Sequence, residues 1–187
     1  MSTTTQATER GTKVWKIDAS HSHAEFGVRH MMIATVKGRF SDIDGTVVVE
    51  DGDPTTANID VTIGVASIDT RVEQRDQHLR SPDFFDVERF PTLTFRGTKV
   101  RRSGEDRYEV LGDLTIRDVT RPVTLDVRSL GSVRDPWGND RAGYSATTRI
   151  NRKDFGLNWN QVLETGGFVV GDEVKVDLEV ELVRSAD

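Results

Sequence analysis

One alternating stretch decides how the chain folds: Ser22-His23-Ala24-Glu25-Phe26-Gly27-Val28-Arg29-His30. In a β-strand, successive side chains point to opposite faces of the sheet. One face is then apolar apart from a single histidine near its end, whereas the other face is polar. The first face comprises Ala24, Phe26, Val28, His30 and Met32, and the second comprises His21, His23, Glu25 and Arg29. We therefore predict that His30 points into an apolar interior.

The same alternation recurs along most of the chain, with turn residues between the segments. In the predicted strand 58–65, the apolar residues Ile59, Val61 and Ile63 share one face, which must be covered. A second extended region, 35–50, is interrupted at 42–45. Further strands are predicted at 14–18, 92–100, 107–116, 123–127, 144–150 and 174–182. Eight or so sequential strands with short connections form an antiparallel meander.

A meander leaves two exposed sheet edges unless it closes on itself. A barrel of about eight strands removes the edges and has room for one small ligand. Each long strand offers a single apolar face, and the sequence lacks the Cys-Trp-Cys pattern of an immunoglobulin domain. The sequence therefore favours an all-β fold, a closed eight-stranded antiparallel up-and-down barrel, with a flat sandwich as the competing architecture.

One polar segment, 71–81, breaks the alternation because it contains good helix formers and ends before a proline. Asp69 or Thr70 can cap the start of such a helix. Val72 and Leu79 are seven positions apart and would share one helix face. We predict one short helix near the mouth of the barrel.

Composition limits the domain organisation and the partners. The 187 residues carry a formal net charge of -6, and no basic cluster lacks interspersed acids, which argues against nucleic acid as a partner. No apolar window is long enough to span a bilayer, so we predict no stable membrane insertion. Residues 1–11 are predicted to be a flexible tail, and residues 12–185 a single barrel domain.

The first residues are polar and include no apolar run typical of a secretory signal, so we expect a cytoplasmic location. The absence of cysteine excludes disulfides, thiolate nucleophiles and zinc–cysteine sites. The sequence leaves open whether the protein forms a homodimer.

Several motifs occur along the chain in a characteristic order. They are Trp15-x-Ile17-Asp18-x-x-His21-Ser22-x-x-x-Phe26-x-Val28-x-His30, Gly38-x-Phe40, Gly45, Arg75-Asp76-x-His78-Leu79, Asp83-Phe84-Phe85-Asp86, Phe90-Pro91, the run Gly112 to Val123, the run Asn151 to Leu157 and Val170-Gly171-Asp172-Glu173-Val174. Together they resemble the YceI-like family of polyisoprenoid-binding proteins over roughly residues 14–184. The resemblance implies a lipocalin-like barrel whose interior holds a long isoprenoid chain or a similar amphiphile, such as a polyprenyl phosphate or a quinone. Several relatives are periplasmic, whereas no secretory signal is recognised here.

The patterns and the resemblance select a set of candidate ligand-binding residues. They are Phe26, Val28, His30, Ile59, Val61, Ile63, Arg75, Asp76, His78, Leu79, Phe84, Phe85 and Trp159. His30 is either a core histidine bonded to a neighbouring hydroxyl or a polar anchor for a phosphate or quinone head. Arg75 suits a phosphate through its forked donors, and Asp76 would orient a neighbouring arginine or histidine. Asp76 and His78 are two positions apart, so at most one of them points into the cavity.

The aromatic candidates have structural alternatives. Phe84, Phe85 and Phe90 suit a core or a barrel plug better than a ligand wall. Trp159 either lines one end of the barrel or packs against the outside of its wall. Because core and ligand wall coincide in a barrel of this size, the two roles are compatible for the aliphatic residues.

Two other function classes remain as alternatives to a lipid carrier. An enzyme acting on a hydrophobic molecule could use His30, Asp76 or His78, but no known catalytic or nucleotide-binding motif is present. A metal-binding stress protein could use His21 and His23 with Glu25, which strand spacing would place on one face, to hold zinc or copper. We predict a carrier that is not an enzyme and holds no metal or cofactor.

Overall fold

The structure, a computed structural model, describes residues 10–186. Within these residues the chain forms ten β-strands, one α-helix and three short 3-10 helices. The strands are β1 (Thr12–Ile17), β2 (His23–His30), β3 (Ala34–Phe40), β4 (Ile43–Glu50), β5 (Asp53–Gly64), β6 (Thr92–Arg102), β7 (Arg107–Ile116), β8 (Val119–Arg134), β9 (Asp140–Asn151) and β10 (Val170–Arg184). The helix α1 covers Glu73–Arg80, and the 3-10 helices cover Ala19–His21, Val65–Ser67 and Arg152–Phe155. None of the described helices has the length and apolar character needed to cross a membrane.

The strands form one antiparallel sheet that closes on itself. The pairing runs from β1 through β4, β5, β6, β7, β8 and β9 to β10, and β10 pairs again with β1. The first part of β10 pairs with β2, and β2 pairs with β3. β1 and β2 both pair with β10, while β3 pairs with β2 and β4 pairs with β1. Since β1 with β2, and β3 with β4, each form one interrupted strand, the ten strands occupy eight positions. The predicted closed eight-stranded antiparallel barrel is confirmed.

Two strand positions of the barrel are interrupted, one between β1 and β2 and the other between β3 and β4, and both interruptions differ from the prediction. The first break is the 3-10 helix that ends at His21, so His21 is not part of the strand that begins at His23. The Asp18 carboxylate accepts a hydrogen bond from the Ser20 N–H at 3.0 Å and stabilises this turn. The second break lies at residues 41–42 instead of 42–45, and Gly45 lies inside β4 opposite Val61.

The helix is shorter than predicted. Arg71 has a φ of 66°, in the left-handed region, and its N–H donates to the Asp69 carboxylate at 2.7 Å. The helix therefore begins only at Glu73, after Val72, which is exposed. Leu79 packs against the core as expected. The prediction that Val72 and Leu79 share a helix face is wrong because Val72 precedes the helix.

The hairpin topology places the connections alternately at two ends of the barrel. One end, here called the helix end, carries the β2–β3 turn (31–33), the segment 65–91 with α1, the β7–β8 turn (117–118) and the loop 152–169. The opposite end, called the far end, carries the turns 51–52, 103–106 and 135–139. The predicted tail 1–11 falls almost entirely on residues 1–9, which lie outside the described residues.

Candidate functional site

The barrel encloses an apolar cavity of about 690 Å³, a volume within the range of small-molecule binding sites. Every strand contributes inward-facing residues to its wall. Along two long strands, every second residue faces the cavity: Ala57, Ile59, Val61 and Ile63 in β5, and Val174, Val176, Leu178 and Val180 in β10. The alternation read from the sequence therefore produces the cavity wall directly.

The structure places all but one of the predicted ligand-binding residues in the cavity wall. The lining residues among them are Phe26, Val28, His30, Ile59, Val61, Ile63, Arg75, His78, Leu79, Phe84, Phe85 and Trp159. Asp76 is the exception. Whether each of these residues contacts a ligand stays a prediction, but the geometry assigns them a common surface.

His30 is the last residue of β2 and lies in the cavity wall at the helix end. Its backbone is opposite Ala34 on β3 and Val170 on β10. No group among residues 10–186 hydrogen-bonds its imidazole. The structure thus does not show the core histidine bonded to a hydroxyl, and both ring nitrogens of His30 are available to a ligand.

Asp76 and Arg75 both hold Thr70, which precedes the helix. The buried Asp76 carboxylate accepts hydrogen bonds from the Thr70 N–H at 2.9 Å and from the Thr70 hydroxyl at 2.5 Å. Arg75 donates from Nε to the Thr70 hydroxyl and from Nη2 to the Thr70 carbonyl, both at 2.8 Å. Asp76 therefore orients a hydroxyl that in turn fixes Arg75 at the cavity wall.

His78 and Trp159 meet at the same end of the cavity. The imidazole of His78 lies with its ring centre 4.6 Å from the Trp159 ring and 5.2 Å from the Phe84 ring. Its Nε2 atom is 2.8 Å from a carboxylate oxygen of Asp83. Trp159 thus lines the cavity at the helix end, in the first of the two positions predicted for it.

Arg152 organises the helix end in a way that sequence reasoning missed. Its guanidinium donates to the backbone carbonyls of Leu157 at 2.5 Å, Trp159 at 2.9 Å and Gly171 at 2.8 Å. The residue is only 3% exposed, and burial lowers the pKa of its guanidinium. The acceptors are backbone atoms, which leave no pattern in the sequence. Arg152 therefore fixes the loop that brings Trp159 to the cavity.

An ionic cluster lies on the outside of the barrel wall. The Arg141 guanidinium donates from Nη1 to Asp18 at 2.9 Å and to Glu181 at 2.5 Å, and from Nε to Asp135 at 2.7 Å. The His21 Nδ1 atom is 2.9 Å from the same Asp18 oxygen. The positive charge between the three carboxylates is thus supplied by arginine.

Hydrogen bonding shifts three pKa values in this cluster. The pKa of Asp18 is held well below its usual range by hydrogen bonds from Ser20, His21 and Arg141. The pKa of Asp135 is lowered chiefly by its bond from Arg141, and the pKa of His21 is raised chiefly by Asp18.

The histidines considered for a metal site have different partners. His21 faces Asp18, whereas the His23 Nε2 atom lies 3.8 Å from Glu25 and 4.0 Å from Glu179. The argument from strand spacing for His21 is wrong because that residue lies in the 3-10 helix.

Comparison with known proteins gives one family over most of the chain. The family described as the YceI-like domain matches residues 15–182. A UPF0312 protein of Serratia proteamaculans is 43% identical over 173 residues, which cover 91% of this chain and 86% of that protein.

Solved structures share the fold. BcnA of Burkholderia cenocepacia superposes with a TM-score of 0.77 at 22% identity, covering 88% of this chain and 98% of that one. A polyisoprenoid binding domain of Saccharophagus degradans, implicated in plant cell wall breakdown, superposes with a TM-score of 0.68 at 16% identity, covering 91% and 98%. At these identities the likeness shows the fold alone.

Proposed function

This chain belongs to the family of YceI-like domains, and from that premise and its apolar cavity we propose that it binds a long amphiphilic lipid of the isoprenoid type inside the barrel. The observation that carries the proposal is the continuous apolar wall of a cavity of about 690 Å³. Burying hydrocarbon contributes roughly 0.8 kcal/mol per carbon, so a lipid chain needs few polar contacts to be retained. The Saccharophagus domain of the same fold is described as polyisoprenoid binding, which supports this ligand class.

The polar groups at the helix end favour a head group there. His30 offers two ring nitrogens without partners among residues 10–186, and Arg75, from the helix at the same end, also lines the cavity. A phosphate or a quinone oxygen matches these donors. We place the polar head at the helix end and the hydrocarbon tail along the barrel.

The same geometry favours a carrier over an enzyme. Of the three residues considered for catalysis, Asp76 bonds to Thr70 and His78 to Asp83, which leaves His30 as the one whose side chain has no hydrogen-bond partner among residues 10–186. One unpaired imidazole in an apolar cavity suits ligand binding better than proton transfer between two groups. The cytoplasmic location is a prediction that cell fractionation tests. Deletion phenotypes and sedimentation test the two alternatives that the sequence leaves open, a role in stress response and a homodimer.

A pair of matched variants tests the proposal. Ala146 lines the cavity and its neighbour Thr147 is exposed on the outside of β9, so Ala146→Phe fills the cavity while Thr147→Phe adds the same ring outside. The protein is purified from its native host, extracted with organic solvent and analysed by mass spectrometry. We expect an isoprenoid at about one per chain in the wild type and in Thr147→Phe, and its loss in a folded Ala146→Phe variant. A wild-type barrel that is empty, or a filled cavity that still retains lipid, would refute the proposal.

The position of the head group is tested in the same extraction with His30→Ala. Reduced retention of a lipid that carries a phosphate or quinone head, with the fold intact by circular dichroism, is the expected result. Unchanged retention would remove His30 from the head-group site without affecting the tail-binding wall.

A further inference from the structure

Two loops at the helix end carry exposed apolar side chains beside the cavity. Met32 and Ile33, in the β2–β3 turn, are 68% and 78% exposed. Val162 and Phe168, in the loop 152–169, are each more than half exposed. Single apolar residues on a surface are ordinary, whereas a contiguous group marks an interaction site.

These side chains form one surface because the two loops touch. The Met31 N–H donates to the Val169 carbonyl at 2.9 Å, and a Cβ atom placed on Gly167 would lie 3.0 Å from the Met32 sulfur. Val162 and Phe168 face each other in an isolated antiparallel bridge. We define the rim patch as Met31, Met32, Ile33, Val162 and Phe168. His30 and Val169, the chain neighbours of this patch, line the cavity, so the patch borders the site.

The β2–β3 turn holds the apolar tip in an unfavourable backbone conformation. Met31 and Met32 have φ values of 48° and 62°, in the left-handed region that residues with a Cβ rarely adopt. Such conformations persist where the surrounding structure holds them, and they concentrate at functional positions. Here the turn presents Met32 and Ile33 to the outside.

The stem of this hairpin is basic, although the chain as a whole is acidic. Between Phe26 and Ser41 the sequence contains Arg29, Lys37 and Arg39 and no acidic residue, in a chain with a net charge of -6. Arg39, the farthest of the three from the tip, lies opposite Glu25 on β2, so Arg29 and Lys37 are the cations nearer the tip. Arg29 donates to the Met32 carbonyl at 2.9 Å, which places a cation at the base of the rim patch. An apolar tip above a basic stem is typical of segments that insert among the headgroups of an anionic bilayer.

The second loop carries one cation near the rim patch, Lys153, together with two acids, Asp154 and Glu164. The Lys153 ammonium lies 6.0 Å from the ring centre of Phe168 and 3.1 Å from an Asp172 carboxylate oxygen. The charge of this lysine is offset by Asp172 and by the acids of the loop. The electrostatic attraction is therefore supplied by the basic hairpin.

We propose that the helix end docks on the surface of a bilayer that contains anionic lipids. The rim patch enters the headgroup layer, and Arg29 and Lys37 of the hairpin contact lipid phosphates. The inference rests on the proposed function in one respect. A docked barrel passes a lipid between the bilayer and the cavity without exposing the hydrocarbon tail of the lipid to water.

Vesicle flotation tests the proposal with the full chain. The vesicles are made of phosphatidylcholine, with and without phosphatidylglycerol. We expect the wild type to float with the anionic vesicles, and a double variant, Met32→Ser with Ile33→Ser, to bind about tenfold more weakly or not at all. The matched control is Val133→Ser with Trp137→Ser at the far end, which removes side chains that are 68% and 81% exposed. This control is expected to float like the wild type.

Three outcomes would overturn the proposal. They are a wild type that does not float, equal losses in the two double variants, and a dimer in vesicle-free solution that dissociates in the rim variant, which would assign the patch to a second copy of the chain. Mass spectrometry of the lipid retained by the same proteins separates docking from binding. A lipid-loaded protein that ignores vesicles refutes docking alone, whereas an empty protein that floats refutes the proposed function and leaves docking supported.

Discussion

A loop at each end of the barrel is organised by one charged side chain, but the two side chains differ in charge and surroundings. At the helix end, the buried Arg152 donates to the carbonyls of the loop that carries Trp159. At the far end, the Asp135 carboxylate accepts from the N–H groups of Trp137 at 3.0 Å and Asn139 at 2.8 Å and from Arg141. One end therefore depends on a buried cation and the other on an ionised acid.

The difference teaches how the two ends respond to solvent and pH. Arg152 keeps its charge at any ordinary pH, and its hydrogen-bond acceptors are backbone carbonyls, which do not titrate. A carboxylate oxygen of Asp172 lies farther away, 3.7 Å from its Nη2 atom. Its contribution is large because removing it leaves several carbonyls without a partner. The far-end network is more exposed to water, and its strength depends on ionised carboxylates. The contacts of Arg152 are thus insensitive to pH, whereas the far-end network is sensitive to acid.

The largest effect on stability is expected from removing the hydrogen bonds that Arg152 makes at the helix end. Arg152→Met keeps the length of the side chain but removes every donor to Leu157, Trp159 and Gly171. We expect the free energy of unfolding to fall by about 3 kcal/mol, measured by urea denaturation.

The adjacent Lys153→Met is the control, because Lys153 is partly exposed and pairs with Asp172 at the surface. It should change stability by less than about 0.5 kcal/mol. If the two substitutions lowered the free energy of unfolding equally, then the burial of Arg152 and its bonds to backbone carbonyls would not make it more stabilising than Lys153.

The same contrast explains how much the sequence could predict. Alternating patterns are periodic and local, so they predicted the barrel and the inward positions of Phe26, Val28 and His30. They did not predict the carbonyl acceptors of Arg152, because backbone atoms are the same at every residue. They also did not predict that Asp76 turns to Thr70, because helix spacing does not fix the partner of a side chain at the start of a helix.

A second effect, of intermediate size, tests the acid sensitivity of the far end. The pKa values of Asp18 and Asp135 are lowered in the folded protein, so their stabilisation is present above the unfolded value of about 3.9 and is lost as the pH falls through the folded values. Arg141→Met should lower the melting temperature by several degrees at pH 7. We expect the difference from the wild type to shrink as the pH is lowered from 5 towards about 2.

Arg149→Met is the matched control on the same strand. Arg149 pairs with a single exposed carboxylate, Glu173, at 2.6 Å, and such surface pairs contribute little. A melting temperature of Arg141→Met that stays below the wild type by the same amount at every pH would contradict the assignment of acid sensitivity to this network.

The smallest effect belongs to His21, at the edge of the same network, and it has the opposite sign of pH dependence. Its pKa is raised by Asp18, so the stabilisation it gives is fully present below the unfolded value of about 6.5 and is lost as the pH rises through the folded value. Because His21 is exposed, His21→Gln should lower the melting temperature at pH 5.5 by only on the order of one degree. The deficit should narrow at pH 9, where the wild-type imidazole is neutral, as scanning calorimetry at the two pH values would show. A deficit that widens with rising pH would mean that His21 acts through packing of the 3-10 turn, and the far-end network would then titrate through its carboxylates alone.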